Sequence, residues 1–162
     1  MSGPLSSGDA DRVTAFRALR RLVTFVAAAL DVRFAFVAAF HEPESSRVIR
    51  NNVSLWLAKD FGLRSEFARV ELPETIPHQA VSADWARVLR QVWPDEQELA
   101  ESKAVGCITV ALYDPRERVL GHLGLLDSGP ASRLSQWERL RPLGRPAAAE
   151  LMRWLGGRDP QV

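Results

Sequence analysis

The side chains able to do chemistry are few, and two of them fall on one stretch, VGCITVALYDPRERVLGHLGLLDSGP, from Val105 to Pro130. It holds Cys107, the single cysteine, and His122, one of three histidines. A reactive thiol needs a cation or a helix N-terminus to lower its pKa. A strand interior supplies neither, so Cys107 is expected to be a core residue. One cysteine also excludes a disulfide within the chain and any multi-cysteine zinc or iron–sulfur site. Gly121 and Gly124 are spelled GHLG, but a phosphate loop needs its glycines between a strand and a helix. Inside a strand they point to close packing or a bulge. His41, Glu42 and Glu44 carry metal-capable atoms, yet three neighbours at a strand end do not close a ligand set. No Ser-His-Asp or paired-carboxylate arrangement follows from the order of residues. The expectation is therefore no catalytic residue, no metal and no enzyme.

Binding is the better-supported chemistry. His78 follows Pro77 in the irregular stretch ETIPHQAV, and Trp56, Trp85 and Trp93 are the large planar side chains that wall apolar cavities. The candidate ligand-binding set is His78, Trp85, Thr109, His122 and Trp56, with the ligand and any cofactor unidentified. Trp56, Trp85 and His122 have a plainer reading as core residues.

These residues must be positioned by ordinary elements. Residues 1–8 are rich in Ser, Gly and Pro and are expected to be disordered, residues 9–156 to form one domain, and residues 157–162 a polar tail. A helix capped by Asp9 or Asp11 runs to about Leu30, with Val13, Phe16, Leu19, Val23, Val26 and Leu30 on one stripe and Arg17, Arg20 and Arg21 largely opposite. VRFAFVAAFHE reads as a strand with both faces covered, RVIRNNVSLWLA as its antiparallel partner with a bulge at Asn51-Asn52, and FARVEL as a short third strand. Ser82 to Trp93 and Asp95 to Ala104 read as short helices. GCITVALYD and RVLGHLGLLD form a hairpin about Asp114–Glu117, with Thr109 and Cys107 facing away from Ile108, Val110 and Leu112. The end is helical from Ser135 to about Leu155, interrupted at Pro142, with Pro146 opening the last helix.

Composition narrows the partners. The chain has 162 residues, 46% apolar and 25% charged, with 21 Lys+Arg against 20 Asp+Glu and a formal charge of +1. No global field draws nucleic acid or an anionic membrane, and the apolar run ending at Leu30 is shorter than the ~20 residues that span a bilayer. The expected location is cytoplasmic.

The order of elements, together with ESKAVGCITVALYDPRERVLGHLGLLDSGP and FARVELPETIPHQAV, resembles a bacterial sensor GAF domain over about Val13 to Leu155. The resemblance implies an α+β fold with a central antiparallel sheet of five or six strands. It implies N- and C-terminal helices on one face and short helices and loops over a pocket on the other. Thr75-Ile76 and His78 depart from the family's pattern in the pocket-bordering segment. The function implied is a sensory or regulatory small-molecule-binding domain that signals through its terminal helices, as a homodimer or with a separate signalling protein. A second expectation is a ligand-free interaction or dimerisation module with a self-filled pocket. If the first helix pairs with a second copy, Phe16, Leu19 and Val23 are expected to be shared.

Overall fold

FAFVAAF, the most continuously apolar strand, takes the centre of the sheet, because only a strand covered on both faces can be apolar at every position. The computed structural model describes residues 7–40, 48–49, 52–71, 76–77, 85, 87–90, 107–126 and 133–156. Helix α1 (Ser7–Ala29) leads into strand β1 (Phe34–Phe40), followed by β2 (Val48–Ile49), β3 (Asn52–Lys59), β4 (Arg64–Glu71) and β5 (Ile76–Pro77). Residues 85 and 87–90 are helical. Strands β6 (Cys107–Tyr113) and β7 (Val119–Leu126) then precede helix α2 (Arg133–Leu140), a 3-10 turn (Arg141–Leu143) and helix α3 (Gly144–Leu155).

The protein is α+β, with a five-stranded sheet in the order β4-β3-β1-β7-β6 and every pairing antiparallel. β2 and β5 make a separate two-stranded ribbon. The expected long strand from Arg47 is therefore two strands. They belong to different sheets, β2 ending at Ile49 and β3 starting at Asn52, and Asn51 of the expected bulge lies outside the described residues. β4 starts three residues earlier than FARVEL, because Arg64, Ser65 and Glu66 complete the ladder opposite Lys59, Ala58 and Leu57.

The two faces of β1 differ in bulk, and this decides what covers each. Ala35, Val37 and Ala39 are small, so helices can approach closely; α1 and α3 pack there through Leu19, Val23, Ala27, Ala147 and Leu151. Phe34, Phe36, Ala38 and Phe40 face the other way, where Trp85, Val88 and Leu89 of the helical segment close over them. Pro146 lies inside α3, which starts at Gly144 with Gly144 buried beside Val110.

Local chemistry sets the ends. α1 stops where Asp31 turns left-handed (φ 53°), with Val32 N–H bonding to Ala27 O and Asp31 N–H to Ala28 O, a Schellman arrangement. In the β6–β7 hairpin, Asp114 accepts from the backbone N–H groups of Arg116 (2.9 Å) and Arg118 (2.8 Å), while Glu117 takes φ 64°. Ser7 and Gly8, expected in the disordered start, belong to α1.

Candidate functional site

The ladder register gathers several of the sequence-predicted residues on the face away from α1 and α3. Thr109 lies opposite Gly124, Gly124 opposite Phe36, and His122 opposite both Ala38 and Ala111. Gly124 has a steric role here: an added Cβ would sit 2.3 Å from Phe36 Cζ, so its absence makes the space the phenyl ring fills. Trp85 then packs on that ring with centroids 5.3 Å apart. His122 completes the group, 5.4 Å from Phe40 and 6.4 Å from Trp85 between centroids. Trp85 is 1% and His122 5% exposed, so this face is filled where it is described. The buried Trp85 Nε1 has no acceptor among the described residues.

Trp56 does not join them. Alternation along β3 sends Val53, Leu55 and Leu57 to the Phe36 face and Trp56 and Ala58 to the helix face. There Trp56 meets Trp154 at 4.9 Å, Phe67 at 5.0 Å and Phe16 at 5.9 Å, in an aromatic cluster joining α1, β3, β4 and α3. Arg12 donates from Nε to Trp154 O at 2.9 Å and covers its ring at 5.3 Å. Trp56 is thus a core residue, separated from the other candidates by the sheet itself. His78, His41, Glu42, Glu44 and Trp93 lie outside the described residues.

The thiol of Cys107 is half-buried on β6, and burial pushes it up to about 12, the wrong direction for a nucleophile. Among the described residues, no three His, Cys, Asp or Glu side chains come together as a metal set. Lys59, buried beside Phe34 at the end of the same face, pairs with Glu66 at 2.9 Å.

A second region was not anticipated. The expected dimer stripe is consumed within the chain, since Leu19 and Val23 are fully buried and Phe16 packs on Trp56 and Phe67. The opposite side of α1 instead displays Phe25, 57% exposed, among the exposed Arg17, Arg20 and Arg21. Beside it stands the β3–β4 turn, where Asp60 (φ 53°), Phe61 (φ 61°) and Gly62 (φ 89°) are all left-handed. Gly62 is held against α1 so tightly that a Cβ would meet Thr24 O at 2.5 Å. Arg20 Nη2 donates to Ser65 O at 3.0 Å and Oγ at 3.2 Å, locking helix to turn. Phe61 and Leu63 point outward, 48% and 86% exposed. Arg20, Arg21, Thr24, Phe25 and Ser65 line a surface concavity of about 340 Å³ at the junction. The signal in the sequence was Phe25 itself, one residue off the apolar stripe and four beyond Arg21.

Among the described residues, no helix is long and apolar enough to cross a membrane. Comparison with protein-family models, curated proteins and solved structures gives no match.

Proposed function

We propose that this chain is a non-catalytic, GAF-like interaction domain that works by presenting its outer surface to another protein. The observation that carries the reading is the wedge of Trp85 on Phe36 and beside His122 at 1% exposure. In support of the reading, the described part of the face that a sensor of this arrangement would leave open for a ligand carries the chain's own rings. An aromatic face so filled contributes stability and shape rather than a cavity. Among the described residues, an exposed, apolar and cationic surface lies on α1 and the β3–β4 turn.

Native mass spectrometry of the freshly purified chain tests this. The expected species carries no small molecule; a stoichiometric adduct that protects residues 85–90 from hydrogen exchange contradicts it.

One observation favours a second reading, a sensory domain in which a small molecule sits between the sheet and the helical segment. Trp85 Nε1 is buried without an acceptor among the described residues, and a buried donor left unpaired costs about 1–3 kcal/mol. A ligand acceptor entering beside Thr109 and His122 would satisfy it and shift the population of the covering segment, relaying the signal through the terminal helices. A ligand-dependent change in the Trp85 indole proton resonance, together with that adduct, would favour this reading.

A further inference from the structure

We infer that the outer ridge of α1 and the adjoining β3–β4 turn form a docking surface for an acidic, amphipathic helical segment of a partner protein. Val13, Arg17, Arg21 and Phe25 are each four residues apart and all exposed. They make one i+4 ridge of the kind that packs into the groove of another helix. At about 1.5 Å rise per residue the ridge runs roughly 18 Å, or some three turns of a partner. Its ends are apolar and its middle is doubly cationic. The helix carries Asp9 and Asp11 near its start, and from Arg12 to Ala29 four arginines and no acidic residue. Complementary chemistry is a helix with carboxylates at its centre and apolar side chains toward its ends.

The turn adds an anchor at one end of the ridge. A bulky residue with positive φ is uncommon and costs of order 1–3 kcal/mol. The chain holds Phe61 there while leaving its ring half in water. Arg64 is tied to Asp60 by an ion pair, and Arg20 to Ser65, so the apolar tips stand on a fixed base. The concavity beside Phe25 is shallow and open, with Arg20 and Arg21 at its rim. A second copy is a poorer match, because an isologous pairing sets Arg17 and Arg21 against the same two charges.

The test is a display selection of random 20-residue peptides on the full chain, with counter-selection on Phe25→Ser/Leu63→Ser. Enriched peptides are then measured by fluorescence polarisation. The expected result is enrichment of net-negative sequences with apolar anchors. Their affinity should fall at least about tenfold on Arg17→Glu/Arg21→Glu and on Leu63→Ser, and weaken with salt. Leu63 is more exposed than Phe25, so that variant should melt with the wild type and separate docking from folding.

Failure to enrich any wild-type-specific peptide, enrichment of neutral or basic peptides, or affinities unmoved by these substitutions would overturn the inference. So would sedimentation with phosphatidylserine vesicles, or dimerisation by analytical ultracentrifugation, that the same substitutions abolish. The inference rests on the reading of the chain as an interaction domain. A small-molecule adduct would sink that reading and leave an acidic-peptide result standing, whereas a failed selection would sink this surface alone.

Discussion

Trp85→Ala should cost about 3–5 kcal/mol, and Trp85→Phe no more than about 1 kcal/mol. The first figure follows from burial. An indole removed from water covers about 150–250 Å² and stabilises at about 25 cal/mol per Å², less what a compact unfolded state already hides, and Trp→Ala changes in cores fall in that range. Trp85 is buried almost completely against Phe36, so its loss leaves a cavity with a rigid floor made by β1 and β7. The second figure follows from the unpaired Nε1: Phe keeps the ring contact and removes a donor without an acceptor among the described residues, so less area is offset by less desolvation. Urea titration followed by far-UV circular dichroism measures both, since tryptophan fluorescence would change with the substitution itself. An alanine variant within about 1 kcal/mol of wild type would refute the claim that Trp85 fills this face. A phenylalanine variant as weak as alanine would mean that the indole N–H is bonded.

Other substitutions probe the same frame. Gly121→Ala places a Cβ 1.8 Å from Ala38 O, a backbone atom that cannot yield, and should cost more than about 3 kcal/mol in thermal denaturation. Gly124→Ala meets only the end of the Phe36 ring and should cost less, about 1–3 kcal/mol. Cys107, with its thiol pushed up to about 12, should react with iodoacetamide at pH 8 at least about 100-fold more slowly in the native chain than in denaturant; equal rates would contradict its burial. For Asp114, burial pushes the carboxyl up, but hydrogen bonds from the Arg118 N–H, the Arg118 guanidinium and the Arg116 N–H outweigh it, and the net shift is downward. A lowered folded-state value means stability present at neutral pH and lost as pH falls through it. The gap in Tm between wild type and Asp114→Asn should therefore close below about pH 4, and a gap constant with pH would contradict it.

How far the sequence carried these conclusions depended on whether one face of an element was polar. The β6–β7 hairpin was legible because turn chemistry at Asp114–Glu117 and alternation agree, although a register shift at Leu112–Tyr113 puts Leu120 on the side of Leu123 and Leu125. The buried stripe of α1 was legible for the same reason, through Leu19, Val23, Val26 and Leu30, but Val13, expected on it, is exposed because it falls on the row of Arg17 and Arg21. β3 was harder: Val53, Leu55 and Leu57 alternate with Ser54, Trp56 and Ala58, and both sets are apolar enough to be buried. Periodicity separates two faces but does not say which one meets the terminal helices, and Trp56 was placed with the wrong neighbours on that account. The exposed surface was missed for a different reason. No local pattern marks Phe61 or Leu63 as surface, yet a run of left-handed backbone from Asp60 to Gly62 turns both outward. Such a run is a tertiary outcome, held by Gly62 against Thr24 and by Arg20 against Ser65.

The central claim is that the sheet face under residues 85–90 is closed by the chain's own side chains. Nuclear magnetic resonance of the indole protons tests it most directly, by nuclear Overhauser contacts and exchange with water at Trp85. The account predicts contacts from the Trp85 ring to Phe36 and His122 and an indole proton that exchanges slowly with solvent. A Trp85 indole proton that exchanges freely with water and lacks those contacts would contradict it.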